Sequence, residues 1–365
     1  MKITGIDILP FRWETAPWKT GMGKWFGGTK NLGLLSIYTD EGITGNSIVG
    51  SFAVGVEQFA PTIIRDLYPL IHQRDPQLTE ILWRDMWKHN RYVQSQCVSY
   101  IDIALWDIKG KKASLPIHNM LGTSRSKIPV YSSTAWHETP DDYYREAEIF
   151  TRKGWVAHKI HPHGIAKNDI EICKAVRKAT GDELKLMLDV TWAYNYYDAL
   201  TVGREIEELD FYWYEDPLPE TDIYSYKKLK NSLTIPVVST EAVPGKYFGM
   251  SQWLANSTTD MLRGDVGSLG GITPLIKTAH LAEGFNMNCE IFHGGNSVDA
   301  FANLHVMMAI RNCQFYEMFP PNGENQFGLI DDIQVDDWGF VHAPINPGLG
   351  IKINWELINR LKVDI

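Results

Sequence analysis

From about Lys127 the chain repeats a beat of short apolar runs separated by longer amphipathic ones. KIPVYSST, WVAHKIH, LKLMLDV, FYWYEDP, IPVVSTE, DMLRGDV, NMNCEIFH and CQFYEM are eight candidate strands. Runs this short, rich in β-branched and aromatic residues, fit buried parallel strands. The segments between them read as helices. NDIEICKAVRKATG is the clearest: Asn168 is set to cap, Glu171 follows three later, Ile172, Val176 and Ala179 form a stripe, and Gly181 ends it. Eight such units without an internal sequence repeat predict an α/β fold, either a TIM-like barrel or a doubly wound open sheet.

Before Lys127 the pattern is different. ITGIDILPF and NLGLLSIYTDEGITGNSIV read as a strand and a hairpin with Asp40-Glu41-Gly42 as its turn. Between them, RWETAPWKTGMGKWFGGTK has no clear period. It predicts a long loop over residues 13–30, either an exposed loop anchored by tryptophans or a substrate lid built on Trp18, Trp25 and Phe26. A second loop is expected near Ser47–Gly55. Residues 55–125 read as helical. In SYIDIALWDIKGKKA, Ile101, Leu105 and Ile108 make one apolar face, and Asp102 and Asp107 are expected to be solvated or capping. Residues 319–365 carry no further strand–helix beat, and PGLGIKI is expected to pack back on the N-terminal part.

The 365 residues exceed one ordinary domain, and 44% hydrophobic with 22% charged residues is a globular composition. A net charge of −9 speaks against nucleic-acid or anionic-membrane partners, which need basic surfaces. No apolar run reaches the ~18–20 residues of a membrane span. The N-terminus reads as a first strand rather than a signal peptide. Cys97, Cys173, Cys289 and Cys313 are scattered without a CxxC pair, which fits a reduced, cytoplasmic protein.

In barrels the chemistry sits at the C-terminal ends of strands. Here those ends carry Lys159 and His161, two apart and so on one face, then Asp189, Glu215 and Glu241 at equal intervals, then Asp265, His293 and Glu317. Alone, each residue has an ordinary role as a cap, a salt-bridge partner or a structural histidine. Together they bring three hard oxygen ligands, a lysine, a His/Asp combination and a fourth carboxylate to one mouth. Magnesium suits that set; zinc would want more His or Cys. The Gly-rich GDVGSLGG matches no phosphate loop and is expected to be a strand-to-helix turn.

These motifs resemble the enolase superfamily in its mandelate racemase subgroup, over nearly the whole chain. The metal acids correspond to Asp189, Glu215 in its Glu-x-Pro context, and Glu241. The Asp–His dyad corresponds to Asp265, ahead of Gly270-Gly271, and His293; the last-strand carboxylate corresponds to Glu317. The resemblance implies a modified TIM barrel, (β/α)7β, over residues 126–318. An α+β capping domain over 1–125 would cover it, with 319–365 returning to the cap. It further implies Mg²⁺, a small carboxylate substrate, and a homo-oligomer, dimer or octamer. The reaction implied is abstraction of the proton α to a carboxylate, here dehydration of an aldonate or aldarate to a 2-keto-3-deoxy acid. A racemase or epimerase and a catalytically silent metal-binding barrel are the alternatives. In this scheme Asp265 orients His293, and Glu317, if protonated, donates to the substrate carboxylate. One departure stands out. The second strand reads Lys159-x-His161 where the family has Lys-x-Lys, so His161 stands as a replacement base or as a ligand of a substrate or metal oxygen.

Overall fold

Three antiparallel strands open the chain: β1 (Ile3–Lys19), β2 (Trp25–Thr39) and β3 (Thr44–Val49), in that spatial order. The computed structural model describes residues 1–19, 25–319 and 327–364; the side chains of Trp18 and Trp25 lie outside the described residues, so their expected lid role does too. The predicted loop over 13–30 is largely strand. Pairing of β1 with β2 continues through Trp13↔Lys30 and Thr15↔Gly28, shifts register, and resumes at Trp18↔Phe26. Gly27 and Gly28 sit beside that shift at φ 76° and 71°, a conformation that favours glycine. The glycines that looked like loop residues serve a bulge in a long hairpin. Trp13 is a core residue, 1% exposed and stacked on Phe327. The second expected loop is likewise shorter, because Ser47–Val49 belongs to β3.

The helix Ser95–Ala113 is buried along most of its length, against the capping strands on one side and the barrel on the other. That double burial is why its two acids are not solvated, contrary to expectation. Asp102 accepts from Thr273 N–H (2.9 Å) and Thr273 Oγ1–H (2.7 Å). Asp107 accepts from Asn46 N–H (3.0 Å), Leu349 N–H (2.9 Å) and Lys111 Nζ (2.6 Å). A buried carboxylate has to find donors, and these two find theirs on other parts of the fold. Gly271, at φ 123°, makes the approach to Asp102 possible: a Cβ there would lie 2.2 Å from Asp102 Oδ2. The Gly-rich stretch is thus a close-packed strand-to-helix turn.

Eight strands follow: β4 (Lys127–Ser133), β5 (Ala157–Ile160), β6 (Lys185–Asp189), β7 (Trp213–Glu215), β8 (Val237–Ser239), β9 (Met261–Gly264), β10 (Asn288–Ile291) and β11 (Tyr316–Met318). All pair in parallel, in the order β10-β9-β8-β7-β6-β5-β4-β11, forming a nearly closed barrel with helices outside. Between β10 and β11 the seam is held by Cys289 N–H to Asn312 O (2.7 Å) and by Gln314 N–H to the Glu290 carboxylate (3.0 and 3.1 Å). Tyr131, Ala157, Met187, Trp213, Val238 and Phe315 pack together inside the barrel, leaving the C-terminal ends of the strands for polar side chains.

One helix start differs from expectation. Ala166–Thr180 begins with Ile165 at the cap, and Asn168 lies within its first turn. The nearby acid is used instead: Asp169 accepts from His163 N–H (2.9 Å). Gly181 does end the helix. A short strand, β12 (Phe340–His342), adds antiparallel to β4. The C-terminal stretch then reaches β1, where Arg12 N–H donates to Leu361 O and Val363 N–H to Pro10 O. Among the described residues no helix is long and apolar enough to cross a membrane.

Candidate active site

The C-terminal ends of the barrel strands meet the capping region around a cavity of about 400 Å³. Strand alternation decides what enters it. Lys159 and His161 point in, while His158, just before them, turns out to Ser132 Oγ (2.7 Å) and stacks on Phe150. Asp189 and Glu215 are register partners on β6 and β7, and Glu241 follows β8 by two residues. Asp265, His293 and Glu317 arrive from β9, β10 and β11. From the cap come Phe26, Ser51, Phe52 and Val54, with Phe26 edge-on to Phe52. Phe52 N–H bonds Gly295 O (3.2 Å), and Asn296 Nδ2 donates to Ile48 O and Gly50 O, which fixes the cap loop beside His293. A wider depression of about 860 Å³ lies at the opposite end of the strands, among Pro129, Trp155, Lys185, Tyr212 and Phe315. It holds none of these acids, and that end of a barrel serves stability.

Buried charge organises the floor. Lys159 Nζ lies 3.2 Å from Asp189 Oδ2, 3.0 Å from Glu215 Oε1 and 2.9 Å from Glu317 Oε1. Arg263 places Nε 2.5 Å from Glu215 Oε1 and Nη2 2.8 Å from Glu317 Oε2, and donates to the Tyr131 hydroxyl at 2.9 Å. Desolvation and Arg263 push the Lys159 ammonium down, but Glu215 and Glu317 overcome both and hold it well above its usual value. Glu317 is desolvated too, yet Lys159 and Arg263 keep it well below the carboxylate range. It also accepts from His293 N–H at 2.9 Å. With no metal ion among these acids, the surroundings favour the charged forms of both Lys159 and Glu317.

The two site histidines differ in state. His161 Nδ1 lies 2.6 Å from Thr134 O and Nε2 lies 3.0 Å from Asp189 Oδ2. Both neighbours are acceptors, and against the cost of burial Asp189 raises the ring's pKa, which favours the imidazolium. Among the described residues no hydrogen bond engages the His293 ring, which packs on Phe319 at 5.0 Å; burial lowers its pKa to about 4, so it is neutral near pH 7. The expected Asp265–His293 hydrogen bond is not formed. Asp265 sits directly at the start of the short helix Val266–Leu269 and accepts from Gly267 N–H (3.0 Å) and Ser268 N–H (2.7 Å), as a cap does.

A hard divalent cation fits the donor set. The ligand candidates Asp189, Glu215 and Glu241 are all oxygen donors. Burial raises Glu215 and drives Glu241 well above the carboxylate range despite Arg263. Among the described residues no hydrogen bond or ion pair reaches the Glu241 carboxylate. Acids therefore outnumber the buried cations Lys159, Arg263 and His161. Lys159 now spans Asp189 and Glu215, and no three ligands already converge on one point among the described residues.

A parallel barrel under a three-stranded cap, with carboxylates ending consecutive strands, is the layout of a barrel enzyme with its site at the C-terminal ends of the strands. The chain belongs to the mandelate racemase branch of the enolase superfamily. Residues 3–122 match the family described as "Mandelate racemase / muconate lactonizing enzyme, N-terminal domain", and residues 142–357 match "Enolase C-terminal domain-like". The D-glucarate dehydratase structure from Agrobacterium tumefaciens, complexed with magnesium, is 32% identical, has a TM-score of 0.91 and covers 100% of both chains. Arabinonate dehydratase of Saccharolobus solfataricus is 27% identical over 80% of each chain. N-succinyl-L-Arg/Lys racemase of Bacillus cereus is 26% identical over 100% of this chain and 98% of its own. The relatives thus include both dehydratases and racemases.

Some site residues escaped the sequence reading. Arg263 had a visible signal, a lone charge inside the short strand run MLRG. Glu220 had none: its carboxylate accepts from Thr240 N–H and, at 2.8 Å, from Ala242 N–H, the two residues flanking Glu241. Thr134, which orients His161, and Lys246, on the cavity wall, were equally silent.

Proposed function

We propose that this protein is a magnesium-dependent acid-sugar dehydratase. It removes the proton α to a carboxylate and expels the β-hydroxyl, giving a 2-keto-3-deoxy acid. The observation that carries this reading is the pair of unlike imidazoles in one acid-rich cavity, His293 with no hydrogen bond to its ring among the described residues and His161 with an acceptor facing each ring nitrogen. Elimination of water needs one base and one acid, and environments that separate two titrating groups assign those roles.

Mg²⁺ held by Asp189, Glu215 and Glu241 would act as a Lewis acid, neutralising charge that develops on the substrate carboxylate. Lys159 is the mobile element. On leaving Asp189 and Glu215 it keeps Glu317 as partner and turns its ammonium to the substrate carboxylate. Arg263 stays with Glu317 and maintains positive charge on the floor. His293 takes the C2 proton. His161 gives a proton to the departing C3 hydroxyl, which leaves as water, and the resulting enol becomes the 2-keto acid. Phe26, Phe52 and Phe319 keep bulk water from the reacting carbons. The names of the dehydratase relatives, among them the glucarate and arabinonate enzymes, support this reading. The racemase relative, alignable over the whole chain, supports a second one, in which His161 returns the proton to the opposite face and the product is an epimer.

The test is a panel of aldonates and aldarates incubated with enzyme and Mg²⁺, with 2-keto acids detected as semicarbazones. Keto product from one or a few stereoisomers is expected. Deuterium incorporation from D₂O without keto product would replace dehydration by epimerisation.

A further inference from the structure

Lys246 is a cation that the chemistry above leaves without a task. It stands just before the helix Tyr247–Ala255 and lines the cavity with Glu241, Asp265 and His293. Its backbone is held at φ 52°, ψ −129°, directly after Gly245 at φ 81°. Side-chain-bearing residues rarely adopt that conformation, and such outliers gather at ligand sites. Among the described residues no hydrogen bond or ion pair engages its Nζ; desolvation lowers its pKa, and Glu220, Asp265 and Glu241 only partly offset that cost. Lys246 also lines a second cavity of about 440 Å³, together with four amide-bearing residues, Gln58, Asn90, Gln94 and Gln96. The two cavities share Val54, Phe59, Gln96 and Lys246, so Lys246 stands at their junction. Amides suit the hydroxyls of a polyol chain, and an ammonium suits an anion at its end. The floor already provides for the reacting carboxylate through Lys159 and Arg263, leaving Lys246 for another.

We propose that Lys246 is a specificity-determining residue that binds the terminal carboxylate of a dicarboxylic sugar acid, so that the substrate class is the aldarates rather than the aldonates. The substrate chain then runs from the barrel floor toward the amide-lined side cavity. This deepens the acid-sugar reading and rests on it.

The test is calorimetric binding, with Mg²⁺ and in a His293→Asn background that prevents turnover. The probes are matched hexarates and hexonates, such as glucarate with gluconate and galactarate with galactonate, which differ only at C6. The best-bound hexarate should exceed its hexonate at least tenfold, roughly what one charge-assisted hydrogen bond provides. Lys246→Met should erase that preference and Lys246→Arg should retain much of it. Lys246→Gly should also erase it while folding at least as stably, because glycine suits the backbone there. No hexarate binding, no preference for hexarates, a preference surviving Lys246→Met, or equal loss of both ligands would each overturn the assignment. The last would make Lys246 a mere counter-ion to Glu241. Lys246-dependent hexarate binding without keto product from the wild-type enzyme would remove the dehydratase reading and leave this one standing.

Discussion

Replacing Arg263 by Met tests the charge balance of the barrel floor. Arg263 is 1% exposed and pairs with two carboxylates that are themselves 0% and 3% exposed, Glu215 and Glu317. Removing one partner of a buried ion pair costs about 3–5 kcal/mol, since it strands charge away from water. Lys159 remains at 3.0 and 2.9 Å from the same two acids, which puts the cost at the lower end of that range. About 3 kcal/mol is a large share of the roughly 5–15 kcal/mol that stabilises a domain. At an unfolding entropy of about 2.1 cal/mol/K per residue, it should lower the unfolding temperature by about 4 °C. The assay is thermal unfolding followed by circular dichroism, in EDTA and again in excess Mg²⁺. Because a cation bound only by the folded state stabilises it by mass action and also neutralises the stranded acids, the loss should be clearly smaller with Mg²⁺. Arg263→Lys, which keeps the charge but not the forked geometry, should fall between wild type and Arg263→Met. A drop below about 2 °C in EDTA, or equal drops in the two buffers, would refute the reasoning.

Glu220→Gln loosens the carboxylate grip on the amides flanking Glu241 and should weaken Mg²⁺ binding about tenfold by calorimetry, with the fold retained. His293→Asn should lower turnover about 10²–10⁴-fold and abolish exchange of the C2 proton with D₂O, with Mg²⁺ affinity kept. His161→Gln should behave differently, retaining C2 exchange while losing water elimination; loss of both would return the base role to His161. Asp102 gives a stability prediction. Burial raises its pKa to about 7, above its ordinary 3.8. The folded state therefore binds the proton more tightly, so the stabilisation is fully present below pH 3.8 and is lost as pH rises through 7. Asp102→Asn should flatten that decline in urea unfolding measured between pH 4 and pH 8.

The barrel was legible because its strands are short apolar runs whose ends carry polar residues. All eight runs became strands, and the acids and histidines at their ends line one cavity, except Glu215, which lies buried against Lys159 and Arg263. What escaped notice depends on contacts distant in sequence. Asp102 and Asp107 looked solvated because one apolar stripe was visible on their helix, while its second buried face depends on where the barrel and the C-terminal stretch dock. The glycines at 27 and 28 looked like a loop because a bulge and a loop share one composition. The protonation of Lys159, His161 and Glu317 follows from which oxygens surround them, and no spacing in the chain encodes that. Lys246 and Glu220 are set by loop conformations without a sequence period.

The central claim, metal-dependent removal of the proton beside a carboxylate, is tested most directly by proton NMR in D₂O with the sugar acid that the panel selects. The account predicts that the C2 proton signal disappears at the rate of turnover, that 2-keto-3-deoxy product carries deuterium at C3, and that EDTA stops both. A C2 signal that persists across the whole panel while Mg²⁺ is bound would contradict it.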